Sequence, residues 1–566
     1  MTPLWRRRPP APAAPPPPPA PGPAADPAPE PAPETVREAT ARALGEAAAL
    51  LGPAHAVPTA LRPVAGALAE YRELAGRPMR VALVGRVSAG KSTLVNALLG
   101  AHRVETGAEE LTFNVSRLTH GAERAVTVHY RDGRAPTRHR PEELAELSAR
   151  ARAEDPGELD RLRAVDHLVV DDPSPYLRAF DLVDTPGLDS VLGTDSANTL
   201  RFLGRSADQV RADSVGHAGG ADALVLVFAR GLAQGEEELL ADFTGAGLGP
   251  GGSNGAGSNG SSGGGALTTV GALTKVELYW PEHPDPLAEG RKVADRVMTA
   301  AGGTRVMYDL RPVCSLVGAA AGQLTDADFA DLTALAAVEP ALLARRAARG
   351  PYFTTRPYPD LPVPPERRAR LFGLLAGYGL TLACGLLRDG VPDLPALRAE
   401  LDRRSGLAEF RSLLADHFGA RADLLKLRRL VDRSRTLPAL LPATAGAPER
   451  AAVDRAVGRF VDLEVQQHAF RELTVLRDCY DGRLTGLSDR ELREVRQVAG
   501  EFGSTAAARL GLPPGAGAEE LRRTAAGRLA HWAALTADPA HAGPSRRACQ
   551  VLRRSYERLL VETGGA

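Results

Sequence analysis

The stretch "GRVSAGKS", Gly85 to Ser92, follows the apolar run "RVALV" and leads into "TLVNALLG". Two glycines, Gly85 and Gly90, stand five positions apart, and Lys91-Ser92 follows the second directly. Each residue type has a physical reason. Gly85 and Gly90 let the backbone curl until several N–H groups point at one phosphate, and the N-terminus of a following helix adds partial positive charge there. Ser88 and Ala89 lie on the curl, Lys91 sets an ammonium against β- and γ-phosphates, Ser92 offers a hydroxyl to Mg²⁺, and Thr93 completes the nucleotide-binding stretch. An ordinary glycine turn before a helix accounts for the glycines but not for Lys-Ser behind a buried strand.

That motif specifies a nucleoside triphosphate without naming the base. The segment "FDLVDTPG" places Asp184 at the end of an apolar strand, where its carboxylate holds a magnesium-bound water, and Gly187 where its N–H approaches the γ-phosphate. Further on, "VGALTKVE" ends a strand in Thr274-Lys275-Val276-Glu277. In the corresponding [N/T]KxD pattern the lysine stem lies over guanine, and the acid accepts hydrogen bonds from N1 and N2, a pair adenine cannot donate. Glu277 is one methylene longer than the aspartate of that pattern. "RPVCSLVG" then supplies a Cys314-Ser315 turn for a backbone N–H at guanine O6. The loop "ETGAEELTFNVSRLTHG" must hold the threonine that senses Mg²⁺ and γ-phosphate. Thr106 and Thr112 are the choices, and Thr112 is preferred because it directly precedes an alternating strand. The expected ligands are GTP and Mg²⁺, with Ser92, Thr112 and Asp184 around the metal.

Composition sharpens this. Only four of 69 basic residues are lysine, namely Lys91, Lys275, Lys292 and Lys426, and two of them fall in these motifs. Arginine does the ordinary surface work, so the lysines mark places where a compact ammonium or an aliphatic stem is needed.

The elements that must position these residues are short β-rich runs, "RVALV", "VTVHY", "FDLVD", "ALVLVF" and "TTVGALT", separated by helical stretches. Mostly apolar strands alternating with helices predict a mostly parallel sheet with helices on both faces, an α/β P-loop domain over residues 77–345. Residues 35–76 read as two Ala/Leu-rich helices, and 346–566 as helical to the end, together an α-helical bundle. "PERAAVDRAVGRFVDLEVQQHAFRELTVLRDCYDGRL" reads as one long helix, and Ser488 with Glu491 as a capping box. Residues 1–34 carry 15 of the 46 prolines and read as a disordered arm. Residues 249–265, with nine glycines and four serines, read as a flexible insertion. The "GGSNG" inside it matches GxSxG in letters only, since no strand leads in and no helix follows.

Lys+Arg and Asp+Glu are both 69, so nothing drives general association with nucleic acid or anionic membrane, and no nucleic-acid partner is expected. Four distant cysteines without a CxxC fit reduced thiols and a cytoplasmic place. No secretory signal and no uncharged apolar run of 18 residues is present. The 17 uncharged residues Leu371–Leu387 come nearest, and two readings stand: a buried trunk helix, or a membrane-dipping tip flanked by Arg367, Arg368, Arg370 and Arg388. A basic stretch, "KLRRLVDRSR", reads as a solvated helix face or an aid on anionic lipid.

"VALVGRVSAGKSTLVNALLG", "VVDDPSPYLRAFDLVDTPGLDS", "ALVLVFARGLAQGEEELL" and "TKVE" together resemble the bacterial dynamin-like GTPases, in particular the actinobacterial, isoniazid-inducible branch. The resemblance covers roughly residues 60–330. It implies GTP hydrolysis stimulated when two GTPase domains meet, a homodimer or larger self-assembly, membrane lipid as a partner, a peripheral place at the inner face of the cell membrane, and a neck and trunk built from helices 35–76 and the C-terminal helices. The glutamine that small GTPases place after Asp-x-x-Gly is Leu188 here, and the phosphate-loop glutamine of eukaryotic dynamins is Val87. Ser88 matches the family's phosphate-loop serine. Catalysis is then left to Arg86 as an internal arginine finger, or to a dimer that presses Ser88 and the Thr112 loop into place. Two further readings stand beside a membrane-remodelling GTPase: a regulatory switch that binds a protein partner, and a nucleotide-gated scaffold with negligible hydrolysis.

Overall fold

The computed structural model describes residues 35–86, 88–101, 103–104, 115–144, 164–185, 221–229, 268–300, 303, 307–419, 421–480, 482–503 and 505–564. The proline-rich arm, Val87, Thr106, Thr112, Gly187, Leu188 and the 249–265 insertion lie outside these residues.

Two helices open the described chain, α1 (Val36–Leu50) and α2 (Arg62–Gly76). Nine strands then form one sheet: β1 (Met79–Gly85), β2 (Val115–His120), β3 (Ala125–Tyr130), β4 (Thr137–His139), β5 (Val165–Asp172), β6 (Phe180–Asp184), β7 (Ala223–Ala229), β8 (Thr269–Thr274) and β9 (Leu310–Pro312), in the order β4-β3-β5-β2-β6-β1-β7-β8-β9. The half carrying β6, β1, β7, β8 and β9 is parallel throughout. β2 runs antiparallel to β6 and parallel to β5, and β3 is antiparallel to both its neighbours.

The parallel strands are buried along almost their whole length, which is why they read as unbroken apolar runs. Alternate residues serve opposite faces. Val81 and Leu83 of β1 join one apolar cluster, Ala82 and Val84 the other. The first cluster takes in α1, α2, the phosphate-loop helix α3 (Lys91–Leu99) and later helices. The second is covered by α4 (Pro286–Ala300), α5 (Ser315–Ala321), α6 (Asp326–Ala336), α7 (Pro340–Ala347), α8 (Gly350–Thr355), α9 (Pro365–Arg388) and α10 (Leu394–Arg404), and runs continuously to Leu401.

The rest is helical: α11 (Leu407–Leu414), α12 (Ala422–Ser434), α13 (Ala447–Gln466), α14 (His468–Tyr480), α15 (Asp489–Val498), α16 (Ala506–Arg509), α17 (Ala518–Ala537) and α18 (Gly543–Gly564). α1, α2, α12 and α13 pack in the first cluster, and α14 to α18 build a third around Trp532 and Tyr556. The fold is thus an α/β P-loop domain with helices on both faces, joined to a bundle of N- and C-terminal helices. Ser488 caps α15 reciprocally with Glu491, as its spacing predicts.

Two sequence expectations change. The single long helix breaks at Gln467 (φ −79°, ψ 105°), which ends α13 and lets α14 turn onto α18, where His468 Nε2 meets Ser555 Oγ at 2.8 Å. The basic stretch is not a lipid-facing surface at its key residues. Lys426 and Arg429 are buried, with Lys426 Nζ donating to the Ala75 and Arg77 carbonyls at 2.9 and 2.8 Å, and Arg429 Nη1 to Asp222 Oδ1 at 2.7 Å.

Leu371–Leu387 lies within α9. Leu371, Leu375, Leu380 and Ala383 are buried in the second cluster, and the flanking arginines bond to groups of the protein itself, Arg368 from the interior and Arg370 and Arg388 from the surface. Arg370 makes two 2.8 Å bonds to Asp328, Arg367 pairs with Asp331, Arg388 Nε donates to the Ala336 carbonyl at 2.7 Å, and Arg368 is fully buried against the rings of Phe353 and Tyr358. The interior-helix reading is the one the packing follows.

Candidate nucleotide-binding site

The site forms at the carboxyl ends of the parallel strands, the edge where open α/β sheets bind ligands. β1 delivers Gly85 so close to β7 that a Cβ on Gly85 would run into the Val227 carbonyl oxygen and stand 3.3 Å from the carbonyl carbon. Beyond it Ser88 adopts φ 57° and Gly90 φ 90°, two left-handed positions within three residues that curl the loop back on itself. Gly90 caps α3, so the loop's N–H groups and the helix N-terminus face one region.

Lys91 is buried, and its Nζ donates to the carbonyls of Gly85 at 3.1 Å and Arg86 at 3.0 Å, spanning the loop. Ser92 Oγ donates to Asp184 Oδ2 at 2.7 Å, joining the first turn of α3 to the end of β6. The other carboxylate oxygen, Asp184 Oδ1, is buried without a hydrogen-bond partner among the described residues. Burial holds the Asp184 carboxyl above the usual carboxylate range, against the opposing pull of the Lys91 ammonium and the Ser92 hydroxyl. Thr93 sits half-buried one residue on.

Thr274 ends β8. Its hydroxyl lies 2.5 Å from the Ala89 carbonyl and 2.9 Å from that of Phe228, so it ties the phosphate loop to the sheet from inside the protein. Lys275 takes a left-handed conformation (φ 57°) and starts a short 3₁₀ turn, Val276–Tyr279, that buries Glu277 and leaves Lys275 half-exposed. β9 then reaches Cys314 and Ser315. The Cys314 N–H is already given to the Ser405 carbonyl at 2.8 Å, so the base-facing N–H expected of this turn falls to Ser315, the first residue of α5. Ser315 Oγ is buried with no hydrogen-bond partner among the described residues. Burial, and then the nearby Glu277, push the Cys314 thiol well above its ordinary pKa, which makes it a packing residue.

The structure therefore brings Gly85, Arg86, Ser88, Ala89, Gly90, Lys91, Ser92, Thr93, Asp184, Thr274, Lys275, Glu277, Cys314 and Ser315 to one edge. Thr112 and Gly187 lie outside the described residues.

Sequence reasoning did not single out Asn96. This buried amide accepts from the Arg103 and Val104 N–H groups at 2.6 and 2.9 Å and donates to the Val104 carbonyl at 2.7 Å, fixing the chain where it leaves α3. Its signal was present: one polar residue inside the apolar run "LVNALL". Ser405, far along the chain, gave none.

Similarities to known proteins follow the same edge. A model of the Dynamin family matches residues 81–211. The isoniazid-induced protein IniC of Mycobacterium tuberculosis is 32% identical over 488 residues, which span 86% of this chain and 90% of that protein. The bacterial dynamin-like protein of Nostoc punctiforme is 30% identical over 131 residues, 21% of this chain and 18% of its own. Among solved structures, an oligomerised bacterial dynamin pair aligns over 93% of this chain and 90% of its own at 12% identity and a TM-score of 0.30, too low to show a shared arrangement. Near-complete coverage of IniC at that identity, with the Dynamin match falling on the phosphate-loop half of the sheet, places this chain in the dynamin family, on its bacterial, isoniazid-inducible branch.

Proposed function

We propose that the chain binds GTP with Mg²⁺ at this edge, hydrolyses it at the β–γ bond, and couples turnover to self-assembly and membrane binding or remodelling. The observation that carries the nucleotide part is the Ser92 Oγ–Asp184 Oδ2 contact of 2.7 Å beside buried Lys91. A hydroxyl and a carboxylate with a spare buried oxygen suit a hard divalent cation that keeps several water and phosphate ligands. Ser92 and Asp184 would hold Mg²⁺ there, and the ion would supply positive charge against the phosphates. Lys91 exchanges its two loop carbonyls for phosphate oxygens, and the curled Ser88–Gly90 backbone directs N–H groups at them. The Lys275 stem covers the base, Glu277 takes its N1 and N2 hydrogens, and the Ser315 turn meets O6.

Hydrolysis needs water held in line and charge stabilised on the transferred group. With Val87 and Leu188 at the two positions where a glutamine would stand, the proposal assigns the missing geometry to a second copy pressing on Ser88 and the Thr112 loop, with Arg86 as the alternative in cis. The membrane part rests on family membership. α9 is the helix among the described residues long and apolar enough to cross a bilayer, and half of its most apolar window is buried, so membrane contact is assigned to another surface.

GTP turnover measured against protein concentration, with and without liposomes, tests the proposal. Specific turnover rising with concentration and again with liposomes supports it. Turnover indifferent to both favours a regulatory switch or Arg86 acting alone. Tight binding without turnover leaves a scaffold.

A further inference from the structure

α9 contains four glycines, and they are not equivalent. A Cβ on Gly373 or Gly385 would find nothing within 4 Å. A Cβ on Gly377 would run into Cζ3 of the Trp280 indole and stand 3.0 Å from its Cε3, and one on Gly379 would stand 2.9 Å from Val317 Cγ2. Both partners belong to base-facing elements. Trp280 closes the 3₁₀ turn that carries Glu277, its N–H donating to the Glu277 carbonyl at 3.3 Å. Val317 is two residues beyond Ser315 on α5 and fully buried.

The notches sit where α9 leaves helical geometry. Ala376, directly before Gly377, has φ 51° and ψ −168°. The Glu277 turn also meets α4 at a glycine: a Cβ on Gly290 would stand 2.7 Å from Pro312 Cβ and 3.1 Å from Val276 Cγ1. Two helices thus meet this turn at glycines.

We propose that Gly377 and Gly379 are positioning residues for base recognition: their missing side chains form two notches that seat Trp280 and Val317, and so fix the Glu277 and Ser315 turns around a 2-amino-6-oxopurine. The inference rests on the guanine reading of Glu277. It gives the apolar helix a role at the nucleotide site, as the floor on which both specificity turns stand. Neither glycine touches nucleotide, so the effect must appear in discrimination between bases and not in phosphate binding.

Equilibrium binding of GTP, ITP and ATP with Mg²⁺ to the full chain tests this. ITP lacks only the exocyclic 2-amine, so the GTP:ITP ratio reads the second hydrogen bond to Glu277. The parent should prefer GTP over both. Gly377→Ala should lower the GTP:ITP ratio about tenfold, the worth of one charge-assisted hydrogen bond, with ATP affinity unchanged. Gly379→Ala should lower the GTP:ATP ratio. Gly373→Ala and Gly385→Ala should leave both ratios at parental values. Adding Trp280→Leu to Gly377→Ala should restore part of the ratio, because the smaller side chain leaves room for the new methyl. If Gly377→Ala does not fold, Trp280→Leu alone decides, since it empties the notch without overpacking and should lower GTP:ITP. Parental ratios in folded Gly377→Ala or in Trp280→Leu would overturn the inference, as would an equal loss for all three nucleotides. A parent that binds GTP and ATP alike would instead overturn the guanine reading itself.

Discussion

Lys91 holds two loop carbonyls at about hydrogen-bond distance, and those are the contacts that phosphate oxygens must replace. Lys91→Ala removes an ammonium that makes at least two charge-assisted bonds of about 1.5–3 kcal/mol each, so GTP affinity should fall by at least about a hundredfold in a nucleotide-binding titration. Ser92→Asn should weaken binding chiefly in the presence of Mg²⁺, because the hydroxyl beside Asp184 is lost. Glu277 is a second test. Glu277→Asp should keep or tighten GTP binding, and Glu277→Ala should cost about 1.5–3 kcal/mol per lost bond with a matching fall in preference over ATP, read by competition between the two nucleotides. At this scale the phosphate loop was legible because its residues are contiguous and each type has one use. The Ser405 carbonyl that occupies the Cys314 N–H was not, because the partner is about ninety residues away and contributes only backbone.

Among elements, α9 shows where a sequence pattern supports two readings. Seventeen uncharged residues between arginines have the same hydropathy in a bilayer and in a protein interior. The partners decide: Asp328 and Asp331 on α6 take Arg370 and Arg367. Asp328 itself is fully buried. Burial raises its pKa, but bonds from Arg370 and Thr325 outweigh that and hold it at about 2. A carboxylate held below its unfolded value of about 4 stabilises the fold above that pH and loses the contribution as pH falls toward 2. Chemical denaturation from pH 7 to pH 3 should therefore show stability declining over that acid range, and Asp328→Asn should lower stability at pH 7 by about 2 kcal/mol while flattening the decline. Strands β1, β6, β7 and β8, by contrast, were read directly, since burial on both faces leaves an apolar run with no alternative. The break at Gln467 escaped because both halves of the segment are good helix formers and the turn is imposed by α18.

Across the whole molecule, the bundle is fastened to the sheet by charges sealed from water. Asp222, just before β7, is buried between Arg429 of α12 at 2.7 Å and Arg77 at 3.6 Å, and accepts from the Arg80 N–H at 2.9 Å. Removing one member of such a set leaves uncompensated buried charge, so Asp222→Ala should destabilise the fold by about 3–5 kcal/mol in a denaturant titration, more than an exposed pair such as Arg37–Asp423 would. Any motion of α12 relative to β7 has to break this set.

The distribution of the four lysines has one more consequence, for covalent labelling. Lys91 and Lys426 are about 7% and 5% exposed, Lys275 is half-covered, and the Lys292 side chain on α4 is 71% exposed. Acylating reagents that attack unprotonated amines and ignore guanidinium will therefore mark Lys292 far ahead of the other three. A chain with 69 basic residues therefore offers such a reagent one preferred side-chain amine, Lys292, beside the α-amino group, whose lower pKa keeps more of it unprotonated at neutral pH.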